Sequence, residues 1–200
     1  MQDKKERRTN RQRSDTTRGE LMAAARRLFI EKGYADTATP DIVAAAGVTR
    51  GALYHHFEDK KALFSAVAEA EAQAVADEIE RAAPDDMPPR EALIKGGEAY
   101  LEAMALPGRT RLLLLDGPAV LGRVGMDEID NRHGTRSLRG GILFAVRAGD
   151  LPQNLPVEAA TQLLASAYDR AALSIETGGD PDEYRKALAL LIDGLAALAG

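Results

Sequence analysis

The 200-residue chain is long enough for one large domain or two modest ones, and its 45% hydrophobic and 28% charged residues place it with folded globular proteins. It holds no cysteine, which excludes disulfides and thiolate metal centres and is compatible with a reducing interior. The formal charge of −5 argues against a nucleic-acid partner only until it is divided along the chain. Met1 to Lys61 has 13 Lys and Arg against 9 Asp and Glu, or +4, whereas the remainder has 13 against 22, or −9. That asymmetry fits a DNA-reading head on an acidic body, because counterion release rewards positive charge where the phosphates lie. Neither a secretory signal nor a long uncharged apolar run is present, so no membrane partner is expected and the cytoplasm is the expected location.

Residues 1–16 are polar and basic, with Lys4, Lys5, Arg7, Arg8, Arg11 and Arg13 among few acids and almost no apolar residues. The composition predicts a flexible arm, either adding phosphate or minor-groove contacts or serving as a solubilising tail. From Thr17 to Gly33, Leu21, Ala25, Leu28 and Phe29 define one stripe of a first helix, with Gly33 as its expected end.

Thr39, Pro40 and Asp41 read as an N-cap, a proline in the first turn and a favourably placed acid. Ile42, Val43 and Ala46 follow at helical spacing, and Gly47 supplies a residue able to take positive φ and close the helix. Thr49 then caps a second short helix that turns Leu53 and Phe57 inward and Arg50, Gly51, Tyr54 and His55 elsewhere. Two short helices about a tight glycine-containing turn make a helix-turn-helix, whose second helix enters the major groove. Arg50 has the donors to read guanine, and Gly51 with Ala52 permits close approach. Tyr54, His55 and Lys60 suit phosphates, and Thr39 adds a hydroxyl at a helix N-terminus. The plainer alternative has Tyr54 and one histidine plugging a small core and Lys60 simply solvated. The stripe on the first helix must cover this pair, since Ile42, Val43, Leu53 and Phe57 are too few to hold it together.

Asp59 is placed to cap a fourth helix from Lys60 to about Ala83, continuing inward through Leu63, Phe64 and Val67 until Pro84, Pro88 and Pro89 break it. It reads as the connection between head and body, or as an ordinary long surface helix. The body shows helical segments over 91–105, 109–116, 119–148, 157–177 and 182–198, the third expected to be kinked or divided. In the last two, Leu163, Leu164, Ala167, Ala171, Leu188, Leu191, Ile192 and Leu195 have spacings suited to bundle packing. They are either the body's own core or half of a four-helix interface with a second copy.

No H-E-x-x-H, P-loop, G-x-S-x-G or dinucleotide fingerprint is found, so neither enzyme activity nor a cofactor is expected. No metal site is expected either: of the three histidines, His55 and His56 are adjacent on a helix and diverge. His133 sits among Asp127, Glu128, Asp130 and Arg136, which reads as a solvated charged face in preference to a carboxylate–histidine site. A small-molecule cavity between body helices is expected, with Tyr100, Met104, Met126, Phe144 and Tyr168 as lining candidates and His133 or Arg136 as polar anchor.

The order G-Y-A-D-T-A-T-P-D-I-V-A-A-A-G-V-T-R-G-A-L-Y-H-H-F-E-D-K-K-A-L-F, Gly33 to Phe64, resembles the DNA-binding domain of the TetR family of bacterial transcriptional regulators. The A-G-V-x-x-G-x-L-Y-x-H-F-x-x-K core carries the resemblance, Val43 standing where alanine is commoner. It implies that Thr39, Thr49, Arg50, Gly51, Tyr54, His55, His56 and Lys60 occupy DNA-contact positions, that the body pairs with a second copy, and that it holds an effector pocket. The expectation is an all-α chain with a flexible arm (1–16), a helix-turn-helix domain (17–60) and a helical effector-binding and dimerisation domain (61–200). As a homodimer it would bind a palindromic double-stranded operator as a repressor, released by an unidentified small-molecule effector. A metabolite-handling enzyme with a vestigial head and a nonspecific architectural DNA binder are the rival readings.

Overall fold

The computed structural model describes residues 10–84 and 86–197. Among these residues there is no strand: the chain is all-α, as the sequence predicts. Helices α1 (Asn10–Asp36), α2 (Thr39–Ala46), α3 (Arg50–His56), α4 (Lys60–Ala82) and α5 (Pro89–Met104) precede a π-helical segment (Arg111–Asp116). After it come α6 (Gly117–Arg132), α7 (Gly134–Ala148), α8 (Val157–Glu176) and α9 (Pro181–Ala196). The chain divides into two compact units, Met1–Val67 and Ala68–Gly200, the boundary falling within α4.

In the first unit α1 packs against both α2 and α3. Its stripe of Leu21, Ala25, Leu28 and Phe29 is buried, as are Ile42, Leu53, Phe57, Leu63 and Phe64. Phe29, Tyr34 and Phe64 form an aromatic cluster, with the Phe64 ring 5.2 Å from each of the other two. Each large aromatic adds a sizeable buried apolar area to so small a core. Helix α1 begins seven residues before the expected Thr17, so residues 10–16, assigned to the arm, are helical. Gln and Arg are good helix formers, and a turn of charged residues can extend a helix into solvent. Residues 1–9, the rest of that arm, lie outside the described residues. Gly33 breaks the helix at φ 82° without ending it. The buried Thr37 hydroxyl fixes the bend by donating toward the carbonyls of Gly33 at 2.7 Å and Leu28 at 3.2 Å.

The second unit is built around α5, which packs against α7, α8 and α9. Leu93, Ile142, Ala145, Leu151, Leu164 and Ile192 form one of its apolar clusters. The expected division of 119–148 is present: His133 separates α6 from α7, and Gly122, at φ 79°, kinks α6. Pro118 falls in the first turn of α6, where it needs no partner for the N–H it lacks. Of the leucine run, Leu112 and Leu113 are buried, but Leu115 is half exposed. Arg109 is buried and paired: its Nε donates to Glu71 Oε2 at 2.9 Å and Nη1 to the Ala103 carbonyl at 2.8 Å. A buried guanidinium is tolerated only when neutralised and hydrogen-bonded in this way. No helix among the described residues is long and apolar enough to cross a membrane.

Candidate nucleic-acid interface and ligand cavity

Helix α3 is positioned by local chemistry. The Gly47 backbone turns through φ 66° and ends α2, and the Thr49 hydroxyl then accepts from the Ala52 N–H at 3.1 Å. Burial of Leu53 and Phe57 fixes the helix rotation, leaving Arg50, Gly51, Tyr54 and His55 exposed on the opposite side. The Arg50 guanidinium lies 5.5 Å from the Tyr54 ring centroid, so the two form one cationic, aromatic patch. Nothing inside the molecule demands the glycine at 51: a Cβ there would meet only the Thr49 hydroxyl, at 3.9 Å. The space above the first turn of α3 is therefore open toward solvent.

Four candidate DNA contacts have roles or surroundings that the sequence did not anticipate. Thr39 is the first residue of α2 and not its cap; Ala38 holds the cap position, without a side-chain hydrogen bond. Ala52 is partly buried. His56 is also partly buried, its ring 5.2 Å from that of His55; burial first, then the charges of His55 and Arg18, lower its pKa from the ordinary imidazole value. Lys60 donates to the Tyr34 carbonyl at 2.9 Å and the Thr37 carbonyl at 3.0 Å, and its ammonium sits 4.2 Å from the Tyr34 ring centroid. Two of its three N–H donors thus tie the start of α4 to the turn after α1.

The second unit holds a cavity of about 930 Å³ among α4, α5, the π-helical segment, α6, α7 and α8. Of the expected lining residues, Tyr100, Met104, Arg136, Phe144 and Tyr168 are there. Met126 and His133 are not. Met126 is buried with its sulfur against Gly117, where a Cβ would lie 2.7 Å from it. His133 Nε2 lies 2.5 Å from Glu69 Oε1, and the same carboxylate takes Arg132 Nη2 at 2.6 Å. That pairing, the Arg132 hydrogen bond foremost, keeps Glu69 ionised and its pKa below the usual carboxylate value.

Three acids line the cavity that were not among the expected lining residues: the exposed Glu80 of α4, and the more buried Asp130 of α6 and Asp169 of α8. The Tyr100 hydroxyl donates to Asp169 Oδ1 at 2.6 Å, and its ring meets Tyr168 edge-on at 5.8 Å. Burial, then the negative charges of Asp169 and Asp127, push Asp130 up to about 7. Burial also raises Asp169, against the opposing Tyr100 hydrogen bond. Tyr100 is pushed well above 10, first by burial and then by Asp169, so its phenol stays protonated. Among the described residues no group of three or more His, Cys, Asp or Glu is arranged to hold a metal ion.

The candidate dimer residues divide between two environments. Leu164, Ala171, Leu188 and Ile192 are buried within their own unit, so they are not on the surface expected of them. Leu163 and Leu191 face outward at 73% and 52% exposure, joined by Leu190, which the sequence reading omitted, at 59%. Ala167 and Leu195 are intermediate. Helices α8 and α9 carry apolar residues on two faces, and spacing alone does not say which face is covered.

Residues 21–67 match the family model for bacterial regulatory proteins of the tetR family, and residues 90–198 match the tetracyclin repressor-like C-terminal domain. A TetR-family regulator from Pectobacterium atrosepticum is 33% identical, covers 94% of this chain and 97% of its own, and superposes with a TM-score of 0.72. A probable transcriptional regulator of Pseudomonas putida, ArpR, is 28% identical over 173 residues, 81% of each chain. The Shigella flexneri regulator AcrR is 45% identical over 60 residues, a match spanning 30% of this chain and 28% of that relative. A helix-turn-helix reader followed by a helical body is the architecture of a DNA-binding transcriptional regulator. The chain belongs to the TetR family of bacterial transcriptional regulators.

Proposed function

We propose that the chain is a ligand-responsive cytoplasmic repressor that binds a palindromic operator as a homodimer and is released when a small molecule enters the body cavity. The observation that carries this reading is the outward face of α3, where Arg50, Gly51, Tyr54 and His55 stand exposed on a helix held in place by the Thr49 cap and by Leu53 and Phe57. Arg50 reads a base edge, while Thr39, Thr49, Tyr54, His55 and the remaining Lys60 donor hold phosphates. Ala52 and His56 flank the same surface. The exposed leucines at 163, 190 and 191 meet their counterparts in a second copy, which aims two reading helices at half-sites about 34 Å apart or a multiple of it. Helix α4 begins at Lys60, and its later residues Ala72, Val75 and Ile79 line the cavity. A ligand with unequal affinity for two positions of α4 therefore changes DNA affinity.

Recovering and sequencing the DNA bound in cells tests the proposal. The bound sites should share an inverted repeat, and Arg50→Ala and Tyr54→Ala should abolish its recovery while the protein stays folded. Sites without a common repeat would favour a nonspecific architectural role, and unchanged recovery by both variants would remove α3 as the reader.

A further inference from the structure

We propose that the cavity of the second unit takes an organic cation, a hydrophobic body bearing one amine or quaternary ammonium group that Asp130 and Asp169 neutralise. The inference rests on the cavity being the effector site and adds the chemical class of its ligand.

Asp130 and Asp169 come from different helices, 39 residues apart, and line one cavity whose other walls are largely aliphatic and aromatic. Among the described residues no cation is paired with either carboxyl. Asp169 receives the neutral Tyr100 hydroxyl, and no hydrogen bond or ion pair of the described residues reaches the Asp130 carboxyl. The basic residues next to Asp130 in sequence are engaged elsewhere, since Arg132 and His133 both hold Glu69. Arg136 lines the cavity but is exposed, and the exposed Glu80 lines it too, so the pair adds no net charge.

The cavity thus holds two largely buried acids, and the charge of Asp169 adds to the cost of ionising Asp130. Burial and the acids nearby bring Asp130 to the point where it is only partly ionised at neutral pH. An anionic ligand would add a third negative charge, and a neutral one would leave the acids unmatched. A single positive charge lets them ionise and gains their Coulomb attraction in a low-dielectric site. The aromatic lining works in the same direction. Because the Tyr100 O–H is directed at Asp169, its polar end is occupied, and the faces of Tyr100, Tyr168 and Phe144 are suited to an apolar cation.

The test uses the full-length protein and three probes: tetraphenylphosphonium, its near-isosteric anion tetraphenylborate, and the neutral fluorophore phenylnaphthylamine. Tetraphenylphosphonium should bind at least about tenfold more tightly than tetraphenylborate, as expected for a charge met by partly buried carboxylates. Asp130→Asn and Asp169→Asn should each weaken the phosphonium by about tenfold and leave phenylnaphthylamine unchanged. No hydrogen bond or ion pair among the described residues reaches the Asp130 carboxyl, so exchanging it for an amide of the same shape removes its charge. If phenylnaphthylamine binds but the two ions bind equally, or the anion binds more tightly, the cation class is wrong and the cavity remains a ligand site. If none of the three binds, the cavity is not a ligand site and both readings fall.

Discussion

Lys60 Nζ sits 2.9 Å from the Tyr34 carbonyl oxygen and over the face of the same residue's ring, so one cation closes the turn between α1 and α2 against the start of α4. A lysine expected at the phosphate backbone is in large part a structural clasp. Its replacement should therefore be visible before DNA is added. Lys60→Met should lower unfolding stability by about 2 kcal/mol in urea titration, the range for hydrogen bonds from a charged donor that leave carbonyls behind. An unchanged midpoint, with a reduced dependence of DNA affinity on salt, would return Lys60 to a purely phosphate-binding role.

The exposed leucines give a separate test. Leu163→Arg together with Leu191→Glu should yield a folded monomer in sedimentation, because both side chains lie on the surface and neither fills the core. Ile192→Arg, one residue away but 2% exposed, should instead unfold the second unit. A dimer persisting in the surface variant would place the interface elsewhere.

Asp130 sets a pH dependence whose sign is fixed. Its pKa in the folded protein, about 7, lies above its ordinary 3.8, so the folded state holds this proton more tightly than the unfolded chain does. The stabilisation is fully present below about 3.8, declines as pH rises and is gone above about 7. Asp130→Asn should melt with a flatter pH profile, exceeding the parent protein most clearly at about pH 8 and least at about pH 4. Asp169, shifted in the same direction, leaves the variant with part of the slope. Melting curves that run parallel for the two proteins across this range would show Asp130 to be ordinarily ionised in the folded state.

The head was legible because its determinants are local. Gly47 and Thr49 mark a turn and a cap within three residues, and Leu53 and Phe57 fix the face of α3 by spacing alone. The start of α1 was not, since Arg11, Gln12 and Arg13 are compatible with either a helix or an arm. The cavity was half legible. Aromatic and Met residues of the body suggested a lining, and Tyr100, Met104, Phe144 and Tyr168 provide part of it. Its acids were not found, because Asp130 stands in a charged run and Asp169 beside Arg170, the usual pattern of a solvated face. Only the fold turns both toward one space. His133 failed for the converse reason: Glu69, distant in sequence, claims it.

The glycine at 97 has a consequence that reaches beyond α5. Any methyl group on it would overlap the Tyr168 hydroxyl and press into its ring, so that ring keeps its place only while position 97 remains bare. The ring also forms part of the cavity wall. A lone hydrogen atom therefore gauges the chamber, and enlarging residue 97 would reshape its wall without altering any residue of α3.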